Sequence, residues 1–524
     1  MLSFGVKNLR RLKDVGPVQI KPITILVGRN SSGKSSFLRA FPLLRQSLMT
    51  RTSSPILWYG DFVDFGSFEG SVSDNNKDQS ISLRFGIDRM TLPFRGRYQY
   101  YQYSGNPTVI ENSELEVRIT STNEKTQISA LNLTFGPDRK KIELSINDRG
   151  DAEGLLFDGH DVWPMFAPFH VTISPGTIFP DLLILAEEKN QLSRLAGVDG
   201  ALLVNEVELL LTPHIDKRIK PGVISQYAAR LLTMSCFTKE GLRLLAEQSE
   251  VRSWKRLLLD VIGKDSKALF GRLLFLHGVN QFPILLNAAS ELLRQTISST
   301  LYIGPARARS VRYYRYQDLS VSEIDAEGDN FPMFLNSLTG RQLDSLSDWV
   351  QSLFGYRIDV GRSTGHISIN LVEGPYSTNI VDSGYGVSQI LPVLGQIWWA
   401  VNRRQGFRPP SRQGRDSIIA IEQPELHLHP AHQALLADAF ADPKLRGNES
   451  DRFNFLIETH SETFVNRLGE LIAEEKLKAE DVQILLFEPD RNNARSTVVR
   501  IANFNDNGEL VNWPFGFFQP DYSK

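Results

Sequence analysis

The chain has 524 residues, 58 Lys and Arg against 60 Asp and Glu, and a formal net charge of −2; that balance excludes a globally basic chain held on nucleic acid by charge alone. One cysteine, Cys236, excludes an internal disulfide and a thiolate-cluster metal site. No run of ~18 apolar residues and no secretory h-region in the opening MLSFGVKNLRRLKDVG appear, so the expectation is a cytoplasmic protein without membrane association.

Leu2, Phe4 and Val6 alternate with Ser3, Gly5 and Lys7, and Ile23 to Val27 is a continuous β-branched run. The first predicts a half-buried strand and the second a strand buried on both faces. Gly28 to Ser35 reads as a loop, and Ser36 to Met49 has helical periodicity through Phe37, Leu38, Phe41, Leu44 and Leu48. SISLRFGI, SELEVRIT, ALNLTFG and KIELSI alternate apolar and polar residues between turn residues, so the following lobe is β-rich. From about residue 178 to 300 the spacing turns helical, starting with PDLLILAEEKNQLSRLA. Strands return at LYIGP, YRIDVGR, HISINLV and SIIAIE. ILPVLGQIWWAVNRR is a helix, 403–416 a polar loop, and NFLIETH, DVQILLFEP and STVVRIA are strands. This order predicts one α/β core divided by an insertion. Its parts are 1–177, 178–300 (helical), 301–485, and 486–524 with an apolar tail, Trp513 to Phe518, expected to dock on the core.

Gly28-Arg29-Asn30-Ser31-Ser32-Gly33-Lys34-Ser35 fits G-x-x-x-x-G-K-[ST], with a buried strand before it and a helix after it. The glycines let the backbone wrap closely, so that N–H groups meet phosphate oxygens, and the helix beginning there adds its dipole. Lys34 is expected on the β- and γ-phosphates of ATP and Ser35 on Mg²⁺. Arg29 is expected either to reach a phosphate or to point to solvent, and Ser36 completes the binding run. A phosphate loop needs a carboxylate on a neighbouring strand. Ile418 to Glu422, four apolar residues ending in an acid, is the candidate; residue 422 lies 388 positions beyond residue 34, as a large insertion would require. His427, His429 and His432 lack a matching acid or cysteine set for zinc.

Three further segments complete a pattern: Asp382-Ser383-Gly384-Tyr385-Gly386-Val387-Ser388-Gln389, Gln423-Pro424-Glu425-Leu426-His427-Leu428-His429-Pro430, and Phe453 to Ser461 ending in Glu-Thr-His-Ser. Phosphate loop, Gly/Ser turn, acid–x–Pro strand and His-containing strand in this order resemble ABC-type ATPase heads, including those of chromosome-maintenance and repair proteins. IIAIEQPELHLHP, LIETHSETFVNRL and NGELVNWPFGFF are most similar to a prokaryotic AAA-type, ABC-like ATPase family found in anti-phage defence operons, among them the ATPase subunit of Septu-like systems. The resemblance covers roughly 1–50 and 300–520. It implies an α/β fold, a split ABC-type P-loop ATPase head with a β-rich lobe and a helical insertion. It also implies Glu422 as the metal carboxylate and His460 as the switch histidine near the γ-phosphate. Ser383 and Gly384 would contact the γ-phosphate of the opposite protomer, and His427 to Pro430 would lie at a dimer interface.

One departure carries mechanistic weight. Heads of this type usually have Glu after the metal carboxylate; here it is Gln423. An amide orients water but cannot take its proton, so slow hydrolysis is expected unless Glu425 or a partner supplies the carboxylate. One phosphate loop per chain and a signature acting in trans imply a homodimer or a higher homo-oligomer. The resemblance further implies an effector partner, such as an HNH nuclease, in antiviral defence. Nucleic acid is expected directly or through that partner; Tyr302 to Arg309, with Arg312 and Arg315, is basic and aromatic, which suits such contacts and equally a strand edge with packed tyrosines, with Arg307 alternatively serving inside the ATP assembly. The alternatives are a repair or chromosome-maintenance ATPase that binds DNA itself, and an ATP-dependent assembly module with little hydrolysis.

Overall fold

Strands Ile23–Gly28, Ser417–Glu422 and Phe453–Glu458 are buried at every position, and Val482–Pro489 at all but its last two. Such unbroken apolar runs belong to a parallel sheet covered by helices on both faces, and the computed structural model places these four strands side by side. It describes residues 2–76, 79–92, 108–188, 191–194, 201–216, 218–234, 237–263, 266–403, 417–442, 453–490, 493 and 495–514. The expected polar loop at 403–416 and the tail from Phe515 lie almost wholly outside these residues. The chain divides into two compact units, one of Met1–Arg51, Ile56–Ile81 and Gln295–Lys524, the other of Thr52–Pro55 and Ser82–Arg294.

In the first unit the central sheet runs in the order Leu301–Ile303, Ser417–Glu422, Phe453–Glu458, Ile23–Gly28, Val482–Pro489, Thr497–Phe504, Leu510–Val511. The first five are parallel; Thr497–Phe504 runs antiparallel to Val482–Pro489, and Leu510–Val511 antiparallel to Thr497–Phe504 in turn. Helix Lys34–Met49 leaves the Ile23–Gly28 strand through the phosphate loop and buries Phe37, Leu38, Phe41 and Leu44. Phe4, from the Leu2–Leu9 strand, packs on Phe37 and Phe41 at ring-centroid distances of 5.2 and 4.8 Å. Helices Tyr385–Arg403, Pro430–Ala441 and Glu462–Ala473 contribute Leu391, Leu394, Leu436, Phe440, Phe464 and Leu468 to the core. Helix Gly340–Phe354 opens with a Thr339/Gln342 capping box and stops at Gly355, at a left-handed φ of 85°. It packs beside the antiparallel strands Arg357–Ser363 and His366–Glu373.

The second unit holds an antiparallel meander, Val109–Thr122, Lys125–Phe135, Lys140–Ile146 and Ala152–Phe157. Period-two patterning buries Leu115, Val117, Ile119, Leu131, Leu133, Ile142 and Leu144 on one face. Among the described residues six α-helices follow between Val204 and Ser298. Tyr227 stacks on the buried Trp254 with centroids 4.1 Å apart. The run expected to begin the helical part, PDLLILAEEKNQLSRLA, is instead strand: Leu182–Glu188 pairs with Phe169–Ile173 and Gln191–Arg194, and helix begins only at Val204. In DLLILA every second leucine or isoleucine already satisfies a two-residue period, and Leu182 and Ile184 are the buried pair. No single helix among the described residues is long and apolar enough to cross a membrane. The bent pair Lys267–Asn280 and Phe282–Ser298 passes on length and composition together, and buries Leu273, Leu276, Phe282, Leu286 and Leu293.

His277, on helix Lys267–Asn280, is buried, with Nε2 donating to the Met234 carbonyl at 2.8 Å. Burial, aided by the charge of Lys140, holds its pKa below the ordinary histidine value against that hydrogen bond. The unfolded chain protonates this residue near the usual value of about 6.5, whereas the folded chain does so only at lower pH. Between the two, the unfolded state binds more protons, so stability falls as pH drops below about 6.5. Thermal melts between about pH 7 and 5.5 are expected to show that loss, and a His277→Asn variant a shallower one.

Candidate functional site

The phosphate loop is shaped by its glycines and pinned from behind. A Cβ at Gly28 would lie 2.5 Å from the Phe487 carbonyl oxygen and 2.8 Å from Ser32 Oγ, so only glycine lets the chain turn this close to the next strand. Ser31 and Gly33 take left-handed φ values of 60° and 95°. Thr497 donates its hydroxyl to the Ser32 carbonyl at 2.7 Å and its N–H to the Arg11 carbonyl at 3.0 Å. Helix Lys34–Met49 starts with no side-chain cap on its first N–H groups, which leaves them to an anion. Lys34, 3% exposed, donates Nζ to the Gly28 and Arg29 carbonyls at 3.0 Å each. Burial lowers its pKa.

A cavity of about 520 Å³ opens over this loop. Of the expected binding residues it brings together Asn30, Ser31, Ser32, Gly33, Lys34, Ser35 and Ser36, and across from them Gln423 and His460. Gly28 and Arg29 form the loop's base rather than the wall, and the Arg29 side chain is exposed. The wall also includes Arg10, Arg11 and Glu458, which the motif left out. The two arginines come from the turn between strands Leu2–Leu9 and Lys13's strand, Leu12–Gln19. Their signal was present as adjacent arginines between two alternating strands. Arg10 lies over the Phe65 ring at 4.2 Å, which fixes its guanidinium.

Two acids end neighbouring strands. Glu422 is in register with Glu458, and Glu458 with Leu26 of the loop strand. Glu458 is therefore one strand, about 4.8 Å, nearer the phosphate loop than Glu422. The Glu422 carboxylate is fully engaged elsewhere: Arg39 donates Nε and Nη2 to it at 2.7 and 2.8 Å, and the Tyr302 hydroxyl donates at 2.8 Å. It does not line the cavity. Glu458 Oε1 is 3.9 Å from Lys34 Nζ, and both residues line the cavity with Ser35. Its Oε2 is buried with no hydrogen-bond partner among the described residues. Burial pushes the Glu458 carboxyl up, with Ser35, Lys34 and Arg39 opposing and Glu422 adding to the rise.

Gln423 follows Glu422 at a left-handed φ of 43°. Its N–H donates to the Glu458 carbonyl at 2.8 Å, and Arg307 Nη2 donates to the carbonyls of Glu422 and Gln423 at 2.8 and 3.3 Å. Arg307 is 5% exposed, and burial lowers its pKa to about 10. Glu425 is also buried; its carboxylate accepts the His460 N–H at 2.8 Å and does not line the cavity. Burial raises its pKa. It therefore fixes the turn that carries His460. Burial and the charge of Lys34 lower the His460 pKa, which favours the neutral ring.

Ser383 and Gly384 are not brought to this cavity. They sit in a turn with exposed neighbours Val381, 43%, and Tyr385, 47%, ahead of helix Tyr385–Arg403. Arg312 holds Asp382 of that turn at 2.6 Å. Tyr385 and His427 meet edge to face at 4.8 Å, on the wall of a second cavity of about 320 Å³ that Arg307 and Gln389 also line. Among the described residues no three acids, histidines or cysteines cluster for a metal. Mg²⁺ suits such a site, because it takes one or two protein oxygens and completes its shell with phosphates and water. The uncapped helix start, the unpartnered Ser32 Oγ and the unpartnered Glu458 oxygen are donors and acceptors of the kind that a magnesium–triphosphate needs.

The Arg39–Glu422 pair makes a stability prediction. Arg39→Leu leaves a buried carboxylate with Tyr302 alone and is expected to cost about 3 kcal/mol, since breaking one side of a buried pair strands the other charge. Tyr302→Phe is expected to cost about 1 kcal/mol. The double variant Arg39→Leu/Glu422→Leu recovers part of the larger loss. Thermal and denaturant unfolding of the three variants check the order.

Two solved structures are similar to the chain at 10% identity, each aligned over 96% of this chain and 97% of the other. One is an Smc head domain with an extended coiled coil, bound to the C-terminal domain of ScpA, from Pyrococcus furiosus, with a TM-score of 0.32. The second is an Smc head bound to the C-winged helix domain of ScpA, with a TM-score of 0.30. No curated protein matches the sequence. The AAA ATPase domain family matches residues 1–153 and 339–465, more than half of the chain, and the protein belongs to that family.

Proposed function

We propose that the chain binds ATP with Mg²⁺, hydrolyses it slowly, and uses the bound state to join a second copy of itself and control a partner effector in anti-phage defence. The cavity carries this reading: it gathers Lys34, Ser35, the uncapped helix start, Gln423 and His460 around one space of about 520 Å³, within the range of small-molecule ligand sites. Mg²⁺, when bound, draws charge from the phosphate oxygens. Ser35 is placed to hold it, with Lys34 and the loop N–H groups on the phosphates. Gln423, its backbone fixed by Arg307 and Glu458, orients water from the opposite wall. A neutral His460 supplies a hydrogen bond without adding charge.

Slow turnover follows from the groups that face the water. Gln423 cannot take a proton, and Glu425, the nearest alternative acid in sequence, is buried off the cavity with one oxygen on the His460 N–H. Association is supported by the signature turn, which is exposed and away from its own chain's cavity. The defence role, a nuclease as effector and a cytoplasmic location rest on the resemblance to ATPases of Septu-like systems.

Lys34→Ala removes a charge-assisted contact worth about 1.5–3 kcal/mol, so ATP affinity is expected to fall about 10- to 100-fold by calorimetry. Wild-type turnover is expected to be well below ~10 per second, the median enzyme value, and to rise in Gln423→Glu; turnover already at that level defeats the slow-switch reading. Ser383→Arg is expected to keep ATP binding and lose ATP-dependent association, read by light scattering. Protection of cells against phage by the chain with its neighbouring genes, lost in Lys34→Ala, tests the biological role; no protection with wild type overturns it.

A further inference from the structure

We infer that Glu458, rather than Glu422, is the carboxylate that faces the nucleotide's divalent cation, acting with the Ser35 hydroxyl. The inference rests on the magnesium–ATP reading above. Its ligand class is a hard, oxygen-seeking divalent cation, Mg²⁺ or Mn²⁺, already carried on a triphosphate.

Four observations carry it. Strand register puts Glu458 beside the loop strand and Glu422 one strand further out. Glu458 lines the cavity and Glu422 does not. The Ser35 hydroxyl, the loop's own metal ligand by type, lines the same cavity and works to hold the Glu458 carboxyl down. Glu458 keeps one carboxylate oxygen without a partner, whereas Glu422 accepts three hydrogen bonds from Arg39 and Tyr302. A carboxylate bound on both oxygens by a guanidinium would have to break a bidentate pair to meet a cation. Glu458 would break none. Glu422 is then the anchor that ties helix Lys34–Met49, through Arg39, to strand Leu301–Ile303, through Tyr302.

A competing role for Glu458 is counter-ion to Lys34, 3.9 Å away. The two roles separate experimentally. ATP binding to the full-length chain is measured with and without Mn²⁺, and the metal is followed by its paramagnetic resonance. In wild type, Mn²⁺ is expected to tighten ATP binding. Glu458→Gln is expected to lose ~10- to 100-fold of that gain, the size of effect typical for groups that orient a metal, with metal-free ATP affinity little changed. Glu458→Asp, which keeps the charge, retains part of the gain and changes the Mn²⁺ spectrum. Glu422→Gln keeps the gain and melts at lower temperature. The inference is overturned if Glu458→Gln keeps the full metal gain, if it changes affinity equally with and without metal, or if only Glu422→Gln loses the gain. Wild type that binds ATP with no metal gain overturns this inference alone. Wild type that binds no ATP overturns the nucleotide reading as well. Should Glu458→Gln fail to fold by circular dichroism, Glu458→Asp decides: an unchanged Mn²⁺ spectrum counts against the inference.

Discussion

A carboxylate taken out of water costs several kcal/mol unless donors and cations replace its hydration. The sheet places two of them side by side, because Glu422 and Glu458 close adjacent parallel strands in register. Much of the surrounding architecture answers that constraint. Arg39 and Tyr302 neutralise and hydrogen-bond the outer acid, while Lys34 and Ser35 meet the inner one. Arg307, itself buried, ties off the carbonyls at the end of the outer strand. One acid is thereby saturated by protein groups, and the other, a residue of the cavity lining, keeps one buried oxygen without a hydrogen-bond partner.

The same clamps decide what the far wall presents to a bound phosphate. Gln423 stands at a left-handed φ that a non-glycine residue seldom adopts, and bonds to Glu458 and Arg307 hold it there. Glu425 sets the backbone before helix Glu462–Ala473 and so the position of His460. The wall facing the loop carries an amide and an imidazole, while its carboxylates point into the protein or toward Lys34. That arrangement favours binding and closure over rapid chemistry.

Where residues act through their immediate neighbours, the sequence was a good guide. Ile23 to Ser35 declares a strand, a glycine loop and a helix start by local pattern, and the fold contains them. Glu422, Gln423 and His460 were found as the ends of apolar strands, and two of the three reach the cavity. Glu458 was hidden by its own motif: in Glu-Thr-His-Ser the histidine drew attention, and only strand order shows that the preceding acid lies next to Lys34. Arg39 could not be read at all, and Tyr302 was read only within a nucleic-acid candidate although it is buried on Glu422, because their partner is distant in sequence and their roles exist only after the sheet assembles. DLLILA misled for a different reason, since a short leucine-rich run satisfies the helical and the strand period together.

The order of the central sheet has a consequence for how the chain is made. The Ile23–Gly28 strand is among the first segments synthesised, yet its two neighbours begin at residues 453 and 482. At ~5–20 residues per second, roughly 20 to 90 s of translation separate the strand from its partners. Until then the apolar run ITILV has no sheet to join, and the loop after it lacks Thr497 and Glu458 behind it. A nascent chain therefore exposes an aggregation-prone strand for most of its synthesis, and gains a nucleotide pocket only at the end. Truncated products that end before residue 453 would carry the signature of a phosphate loop in their sequence without the strands and side chains that support it.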